Sequence, residues 1–365
     1  GDGPESSWLC SYPPARLANG TVLERVLCAD WSAREGVLRK WLRLRVVTGD
    51  VPVKIDEIVL ETLDASQLTR EYRPGPPQSY PLFFPGFFAG IEFPVASTRV
   101  EGQRATLGHR PLCVLSPQTW YESRRAVYGP APAGGEVLAF HQYVERHRPA
   151  PKGMHFNYNS WWTSPVPFSE ADILGLMKQF EERLYRRHGV AFDSFTIDMG
   201  WSDPHGVWDI NRRLFPDEFA QIQAGAEAMG ARLGLWTSPS ACYPQAVDPQ
   251  WAHEHRYESA SGHMLSLAGE KYRNKYGSTI ADYIARFRLA QVKLDGLYLG
   301  GSEFLAGLWP AEATAAGAAE AFDRMRAANP EVWLEATYSA YASPWWLFHV
   351  NSVIGGFGDD SPHGR

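Results

Sequence analysis

The stretch Val292-Lys293-Leu294-Asp295, followed by Gly296, decides the fold of the second half of the chain. It is a short strand-like run that ends in a carboxylate before a turn residue. Similar apolar segments with polar or aromatic ends, each separated from the next by helical sequence, lie at 155–162, 195–201, 233–236, 332–335 and 353–360. Because strands that alternate with helices form parallel βα units, this series predicts a barrel with its chemistry at the carboxyl ends of the strands.

The number of strands in the series sets an expectation about this barrel. A closed (β/α)8 TIM-type barrel has eight strands, whereas about six can be recognised over residues 149–365. We therefore predict a barrel catalytic domain over 149–365 that lacks its last two βα units in this chain. Exposed strand edges pair readily with other strands, so we expect either truncation or a second chain or homo-oligomer that completes the barrel.

Helical segments between the predicted strands support this interpretation. Ser169 is an N-cap with Asp172 three residues later, the spacing of a capping box. The apolar stripe that follows, which predicts packing against the sheet, consists of Ile173, Leu174, Leu176, Met177, Phe180 and Leu184. Further helices are predicted near 216–229, 277–290 and 311–328.

The first part of the chain has a different pattern. Short runs of β-type residues, such as 41–47 and 51–55, alternate at period 2 and are separated by Gly and Pro. This pattern predicts an N-terminal β-sandwich domain over residues 1–148. The prolines of 146–153 discourage regular structure and predict a linker there.

Composition narrows the range of partners. The chain has 365 residues, a formal net charge of -6 and no basic stripe, which argues against nucleic acid or an anionic membrane as a partner. No apolar run approaches the roughly 18 residues of a membrane helix. The 14 Trp residues favour an oligosaccharide or glycoconjugate ligand, because apolar rings stack on the C–H faces of sugars. The chain begins Gly-Asp-Gly without Met, so either a leader was removed or the chain was trimmed, and the sequence does not decide which. The location is left unassigned, with a secreted or periplasmic one favoured over a cytoplasmic one.

Motifs for other chemistries are missing from the sequence. The four cysteines, Cys10, Cys28, Cys113 and Cys242, lack CxxC spacing, so no metal site is expected. The sequence does not decide whether Cys10 and Cys28 form a disulfide. Asp203, His205 and Asp209 are interpreted as a solvated loop. No Gly-x-Ser-x-Gly elbow or Gly-x-Gly-x-x-Gly turn is present, so neither a serine hydrolase nor a dinucleotide cofactor is predicted.

Taken in order, the strand ends resemble the retaining α-galactosidase clan of glycoside hydrolases, in particular its multidomain bacterial members, which include α-N-acetylgalactosaminidases. In that clan a β-sandwich precedes a barrel. The matching segments are Ile197-Asp198-Met199-Gly200-Trp201, Gly234-Leu235-Trp236, Lys293-Leu294-Asp295 and Gly358-Asp359. The resemblance covers roughly residues 150 to 360 and extends to the first half only in architecture.

The resemblance implies a role for each matching residue. Asp295 is the nucleophile that forms a covalent glycosyl-enzyme, and Asp359 is the general acid/base, with Asp360 as its competitor. No cofactor or metal is needed for this chemistry. Lys293 lies on the same strand face as Asp295, since side chains alternate at period 2. The expected substrate-binding residues are Asp198, Trp161, Trp162, Trp201, Trp236, Lys293, Glu335, Tyr338 and Asp360.

Two departures from the clan affect specificity. The α-galactosidases carry a second aspartate beside the first on strand two, and the pair holds the 4- and 6-hydroxyls of galactose; here the second position is Met199. The segment 336–341 also replaces a Cys- and Gly-rich turn. A 2-acetamido sugar or another modified α-glycoside is therefore expected beside α-galactosides. Two alternatives stay open: a transglycosylase with the same nucleophile, and a catalytically inactive carbohydrate-binding protein.

Overall fold

The computed structural model describes residues 6–49, 51–70, 79–164, 166–300, 309–337 and 342–354. These residues form two compact units. Unit 1 holds the described residues up to 147 together with 342–348, and unit 2 holds the described residues from 148 to 337 and from 349 to 354.

Unit 1 is built of antiparallel sheets. Its strands are β1 (Ser6–Arg16), β2 (Val22–Ser32), β3 (Val37–Thr48), β4 (Val53–Ile55), β5 (Ile58–Asp64), β6 (Leu82–Phe84), β7 (Phe87–Ile91), β8 (Arg99–Glu101), β9 (Arg104–His109), β10 (Cys113–Leu115), β11 (Tyr121–Glu122) and β12 (Ala126–Pro130). The largest sheet has the order β1-β2-β3-β12-β7-β6, with β11 paired to β3. A three-stranded sheet, β5-β9-β8, and the pair β10-β4 complete the described strands of the unit.

The core of unit 1 contains a helix that the sequence analysis did not predict. Helix α1 (Glu136–His147) packs Phe140 and Tyr143, one helical turn apart, against Phe88 of the sheet. Trp345, from the short helix Pro344–Phe348, joins the same cluster, with its ring centroid 5.4 Å from that of Phe140. The sequence analysis placed Pro344–Phe348 in the barrel domain. The contact between Trp345 and Phe140 joins positions far apart along the chain, so no local sequence pattern indicates it.

Unit 2 contains a six-stranded parallel sheet that forms a half-barrel. The order is β13 (Asn157–Asn159), β14 (Ser194–Ile197), β15 (Arg232–Thr237), β18 (Gln291–Asp295), β19 (Trp333–Thr337) and β20 (Ser352–Val353). A hairpin of β16 (Ser259–Ser261) and β17 (Met264–Leu265) follows β15. The helices are α2 (Glu170–Phe180), α3 (Arg186–His188), α4 (Ala220–Ala228), α5 (Pro249–Glu254), α6 (Glu270–Phe287) and α7 (Ala311–Ala328).

The two faces of this sheet differ in chemistry, as alternation along a strand requires. Val292 and Leu294 of β18 are completely buried on one face, whereas Gln291 and Lys293 point to the other. On this second face the hydroxyls of Ser194 and Thr196 both donate to Gln291 Oε1 at 2.8 Å. The layer is tightly packed, because a Cβ at Gly234 would lie only 2.3 Å from Thr196 Oγ1. The inner face is therefore polar and closely packed below the strand ends.

The predicted elements agree with the structure to differing degrees. The Ser169 hydroxyl accepts from the backbone of Asp172, whose carboxylate accepts from the backbone of Ser169, so the predicted capping box is confirmed. The helix predicted near 216–229 is α4 (Ala220–Ala228), and the one predicted near 277–290 is α6, which begins at Glu270. Strand β20 ends at Val353, and the described residues end at 354. Most of the predicted strand 353–360 therefore lies outside the described residues.

Two further observations concern cysteines and membranes. Cys10, Cys28, Cys113 and Cys242 are all free thiols, so Cys10 and Cys28 do not form a disulfide in this structure. Within the described part of the chain, no helix has the length and apolar character required to cross a membrane.

Candidate active site

The carboxylate of Asp295 lies at the carboxyl end of β18, where three neutral groups donate to it. Trp236 Nε1 and the Tyr243 hydroxyl donate to Oδ2 at 3.1 and 3.2 Å, and the Thr337 hydroxyl donates to Oδ1 at 2.8 Å. Thr337 is the register partner of Asp295 on β19. The donors come from both neighbouring strands and the loop after β15, so they fix the orientation of the carboxylate without supplying a countercharge.

A cluster of aromatic residues holds Trp236 in place. Trp201 Nε1 donates to the carbonyl oxygen of Trp236 at 2.8 Å, and Trp208 packs against Trp236 with ring centroids 5.8 Å apart. Trp201 is completely buried. The sequence analysis predicted Trp201 as a substrate-binding residue, but its burial places it behind Trp236, where it braces the donor to Asp295.

Lys293 and Asp198 form an ion pair beside this carboxylate. Lys293 Nζ lies 3.3 Å from Asp198 Oδ2, and the two side chains are 12% and 6% exposed. The Ser160 hydroxyl accepts from the backbone N–H of Asp198, and the backbone N–H of Met199 donates to Asp198 Oδ1 at 2.8 Å. The ammonium that the sequence placed on the same face as Asp295 is thus held by Asp198, which directly follows β14, the second strand of the sheet.

Glu335 lies beside Lys293 on the adjacent strand, because the two residues are register partners of β18 and β19. Burial raises the pKa of Glu335, and the positive charge of Lys293 opposes that shift. Asp198 thus pairs directly with the Lys293 ammonium, and Glu335 lies on the adjacent strand, where the same positive charge acts on its pKa.

The loop after β15 closes around the turn at Gly296. The Ser238 hydroxyl and the Cys242 thiol both donate to the carbonyl oxygen of Gly296, at 3.1 and 3.0 Å. Burial raises the pKa of the Cys242 thiol to about 11, and the charge of Asp295 adds to the shift. Burial, and then the charge of Asp295, also raise the pKa of Tyr243, so its hydroxyl stays protonated and remains a donor.

The residues of this site that the sequence analysis missed include Cys242, Tyr243 and Thr337. Tyr243 and Cys242 lie in an irregular loop, and nothing in the sequence links that loop to Asp295. Thr337 had a usable signal, because it ends the strand next to Asp295 and its hydroxyl is on the same face as Glu335.

The other predicted residues are placed as follows. Trp161 is half-buried in the turn after β13, and its backbone N–H donates to Asn159 Oδ1. Trp162 is 59% exposed, and no hydrogen bond of the described residues joins it to Asp295. Tyr338, Asp359 and Asp360 lie outside the described residues. Among the residues that are described, no group of three or more His, Cys, Asp or Glu side chains is arranged to hold a metal.

Gly296 has a backbone conformation and a setting that exclude a side chain. Its φ is +71°, and an added Cβ would lie 2.8 Å from Ser238 Oγ, 3.0 Å from Cys242 Cβ and 3.1 Å from Tyr243 Cε2. We expect Gly296→Ala to displace Tyr243 from Asp295 and to destabilise the fold by roughly 1–3 kcal/mol, through strain and overpacking. Melting temperature and activity, measured together, test this expectation.

Gly189→Ala is the matched control for that substitution. Gly189 has almost the same φ, +68°, in the same unit, but an added Cβ there meets nothing within 4 Å. It therefore reports the backbone strain without the contacts. Equal effects of the two substitutions on stability and activity would contradict the proposed crowding around Gly296.

Comparison with known proteins identifies the fold. No protein-family model and no curated protein sequence matches the chain. Among solved structures, the chain is similar to GH36 alpha-galactosidase AgaB from Geobacillus stearothermophilus, with 15% identity, a TM-score of 0.62, and coverage of 98% of this chain and 62% of that chain. A variant of AgaA from the same organism, in complex with 1-deoxygalactonojirimycin, matches with 16% identity, a TM-score of 0.60 and coverage of 98% and 62%.

A third similar structure is the alpha-galactosidase from Lactobacillus brevis, with 15% identity, a TM-score of 0.59, and coverage of 97% of this chain and 60% of that chain. The predicted resemblance to α-galactosidases is thus confirmed at the level of the fold. The chain spans about three fifths of the length of these structures.

Proposed function

We propose that the protein is a retaining glycoside hydrolase that removes terminal α-linked sugars of α-galactoside or α-N-acetylgalactosaminide type. The observation that carries the proposal is the carboxylate of Asp295, oriented by Trp236, Tyr243 and Thr337 at the end of a parallel strand. The setting is a fold similar to that of GH36 α-galactosidases. The barrel and the N-terminal sandwich belong to the same proposal.

In the proposed mechanism one oxygen of Asp295 attacks the anomeric carbon, and the bond to the leaving oxygen breaks. A second carboxylic acid protonates that oxygen and later takes a proton from the water that releases the sugar. The neutral donors around Asp295 suit a nucleophile, because they hold its orientation while Lys293, the nearby cation, is engaged with Asp198. The same donors stabilise the carboxylate when it becomes the leaving group in the second step.

Asp359 is the proposed acid/base, and Asp360 is the competing candidate for that role. Both assignments rest on the sequence resemblance. A retaining enzyme requires the two carboxyl groups to be about 5–5.5 Å apart, whereas about 6.5–9.5 Å would accompany inversion.

Recognition of the sugar is assigned to Asp198, Lys293 and Glu335. Their charged groups are nearly buried and close together. The hydroxyl groups of a neutral sugar can therefore donate to the carboxylates and accept from the ammonium. AgaA variants of similar fold were solved in complex with raffinose and with stachyose, which supports an oligosaccharide substrate for this site.

A panel of p-nitrophenyl glycosides tests the proposed function. We expect release of p-nitrophenol from an α-galactoside or an α-N-acetylgalactosaminide, no release from a β-galactoside, and loss of the activity in Asp295→Ala. A folded wild-type protein that binds sugars but cleaves none of the panel would favour the carbohydrate-binding alternative.

Met199 provides a test of specificity. The residue is buried beside Asp198, at the position where the resembling α-galactosidases carry a second aspartate. Because an unpaired buried hydroxyl costs about 1–3 kcal/mol, we expect Met199→Asp to raise kcat/KM for an α-galactoside relative to an α-N-acetylgalactosaminide by roughly tenfold. Met199→Leu keeps the apolar volume and serves as the control. If Met199→Asp left the ratio of the two kcat/KM values unchanged, position 199 would not discriminate between the two sugars.

A further inference from the structure

A groove of about 750 Å³ lies in unit 2 beside the hairpin that follows β15. Its lining includes two aromatic residues, Tyr257 and Trp309, both half-buried, and the exposed residues His253, Glu254 and Arg256. None of them takes part in the candidate active site. The groove thus combines aromatic surface with hydrogen-bonding groups, which is the composition that binds sugars.

Trp309 has a fixed ring in this groove. Its indole N–H donates to the carbonyl oxygen of Ser259 at 3.1 Å, which restrains the ring. Within the described part of the chain, no aromatic ring stacks on Trp309. A rigid ring of this kind binds a ligand at low cost in conformational entropy, because few rotamers are lost on contact.

Tyr257 is the second aromatic residue of the groove, and its neighbours hold it. Its ring stacks on Trp251 with centroids 5.8 Å apart, and Lys271 Nζ lies 4.6 Å from its centroid. Its hydroxyl makes no hydrogen bond with any described residue. A hydroxyl fixed in position and left without a protein partner is suited to bind a hydroxyl of a ligand.

The charged groups of the groove are of both signs. Arg256, with a φ of +55°, forms no ion pair among the described residues, and Glu254 lies in the same lining. The carboxylate of Glu258 is already engaged by the backbone N–H groups of Lys271 and Tyr272 at the start of α6, each at 2.8 Å. The groove therefore carries both signs of charge, with Arg256 beside Glu254 and the backbone-bound Glu258, and a neutral ligand rich in hydroxyls fits it.

The hairpin connects this groove to the loop after β15, which contains Tyr243, the donor to Asp295. Trp309 donates to Ser259 in β16, and the backbone N–H of Leu265 in β17 donates to the Ser240 carbonyl oxygen at 2.8 Å. His263 Nε2, in the hairpin, donates to the carbonyl oxygen of Cys242 at 2.7 Å. Cys242 precedes Tyr243, the donor to Asp295. Both sites thus share the loops at the carboxyl ends of β15 and β18.

We propose that the groove between Tyr257 and Trp309 is a distal subsite, which binds sugar residues of a neutral oligosaccharide beyond the bond that is cleaved. The ring of Trp309 stacks on one sugar, while Arg256 and the Tyr257 hydroxyl bind its hydroxyl groups. This inference rests on the proposed function, because it assigns the groove to the substrate of the Asp295 site.

Kinetics on substrates of two lengths test the distal subsite. The measured quantity is kcat/KM for a tetrasaccharide α-galactoside divided by kcat/KM for a p-nitrophenyl α-galactoside. We expect Trp309→Ala to lower this ratio about tenfold, as truncation of a central aromatic contact does, and Trp309→Phe to lower it less. Trp8→Ala, which removes a 53% exposed indole from unit 1, is the matched control and should leave the ratio unchanged. An unchanged ratio in Trp309→Ala overturns the proposal.

A binding measurement separates failure of this inference from failure of the proposed function. Titration of the tetrasaccharide into Asp295→Asn, with and without Trp309→Ala, reports the groove without any turnover. Weaker binding in the double variant, by about tenfold, supports the subsite even where no glycoside is cleaved. Equal affinity of the two proteins overturns it, even where the wild type is an active hydrolase.

Discussion

Replacing Asp295 by Asn is expected to leave a folded protein whose kcat/KM for α-glycosides is lower by about four orders of magnitude or more. The amide cannot attack the anomeric carbon, so the covalent intermediate no longer forms. The site tolerates the amide for a specific reason. Its oxygen can accept from Trp236 and Tyr243, and its NH2 can face Thr337, whose hydroxyl also lies 3.2 Å from the Leu294 carbonyl oxygen and can donate there instead.

Two companion measurements make the Asp295 prediction specific. Asp282→Asn changes an exposed carboxylate on α6 that pairs with Arg286, and it should leave the kinetics unchanged. In Asp295→Ala, azide has room to attack the anomeric carbon in place of the carboxylate as the aryl oxygen leaves, so a glycosyl azide of inverted configuration is expected. Turnover above about one tenth of the wild-type rate in Asp295→Asn would contradict the role of this residue.

Replacing Lys293 by Met is expected to have the second largest effect, on both stability and activity. The substitution keeps the length of the side chain but leaves Asp198, which is 4% exposed, without its countercharge. Breaking a buried ion pair from one side costs on the order of 3–5 kcal/mol. Activity should fall as well, since the ammonium is a proposed sugar ligand. A drop in the melting temperature measures the first effect, and kcat/KM measures the second.

Adding Asp198→Asn to Lys293→Met provides the control for this prediction. With the buried charge removed, the double variant should recover much of the lost stability, so the two substitutions should be strongly non-additive. Its activity should stay low, because both proposed sugar ligands are then missing. A double variant as unstable as the sum of the single variants would show that the two charges do not stabilise each other.

The cost of Lys293→Met should also depend on pH, through Glu335. The pKa of Glu335 is raised by burial in the folded protein, so its contribution to stability is fully present below the unfolded value of about 4.3 and is lost as the pH rises through the folded value. Lys293 opposes that rise. Its removal moves the folded pKa further up, and the deficit in melting temperature should grow from pH 4.5 to 7. A deficit that shrinks over this range would contradict the assigned coupling.

Features set by neighbouring residues could be predicted from the sequence. The strand that ends in Asp295 and the capping box of Ser169 and Asp172 depend on spacings of a few residues, and both are present in the structure. The start of α6 could not be predicted in this way. The carboxylate of Glu258 caps Lys271 and Tyr272 from thirteen or fourteen positions earlier in the chain, so the helix begins at Glu270 without a local N-cap side chain.

In the candidate site, too, some residues follow from local sequence patterns and others depend on tertiary structure. Lys293, Asp295 and Glu335 follow from strand periodicity and strand ends. Tyr243 reaches Asp295 only because the loop after β15 folds back against the turn at Gly296, and that contact depends on tertiary structure. Trp201 stays a prediction as a substrate residue, and in the structure it lies completely buried behind Trp236. Sequence shows an aromatic residue near a strand end, but it does not show which ring faces the ligand and which supports it.

The most direct test of the central claim is to trap the glycosyl-enzyme. The reagent is a fluorinated α-galactosyl fluoride, which forms a glycosyl-enzyme that hydrolyses slowly. Incubation with it should increase the intact mass of the protein by one fluorosugar. Peptide mapping should then place the sugar on the peptide that contains Asp295. A label on any other carboxylate, or a product released with inverted configuration and no adduct, would contradict the assignment of Asp295 as the nucleophile of a retaining glycosidase.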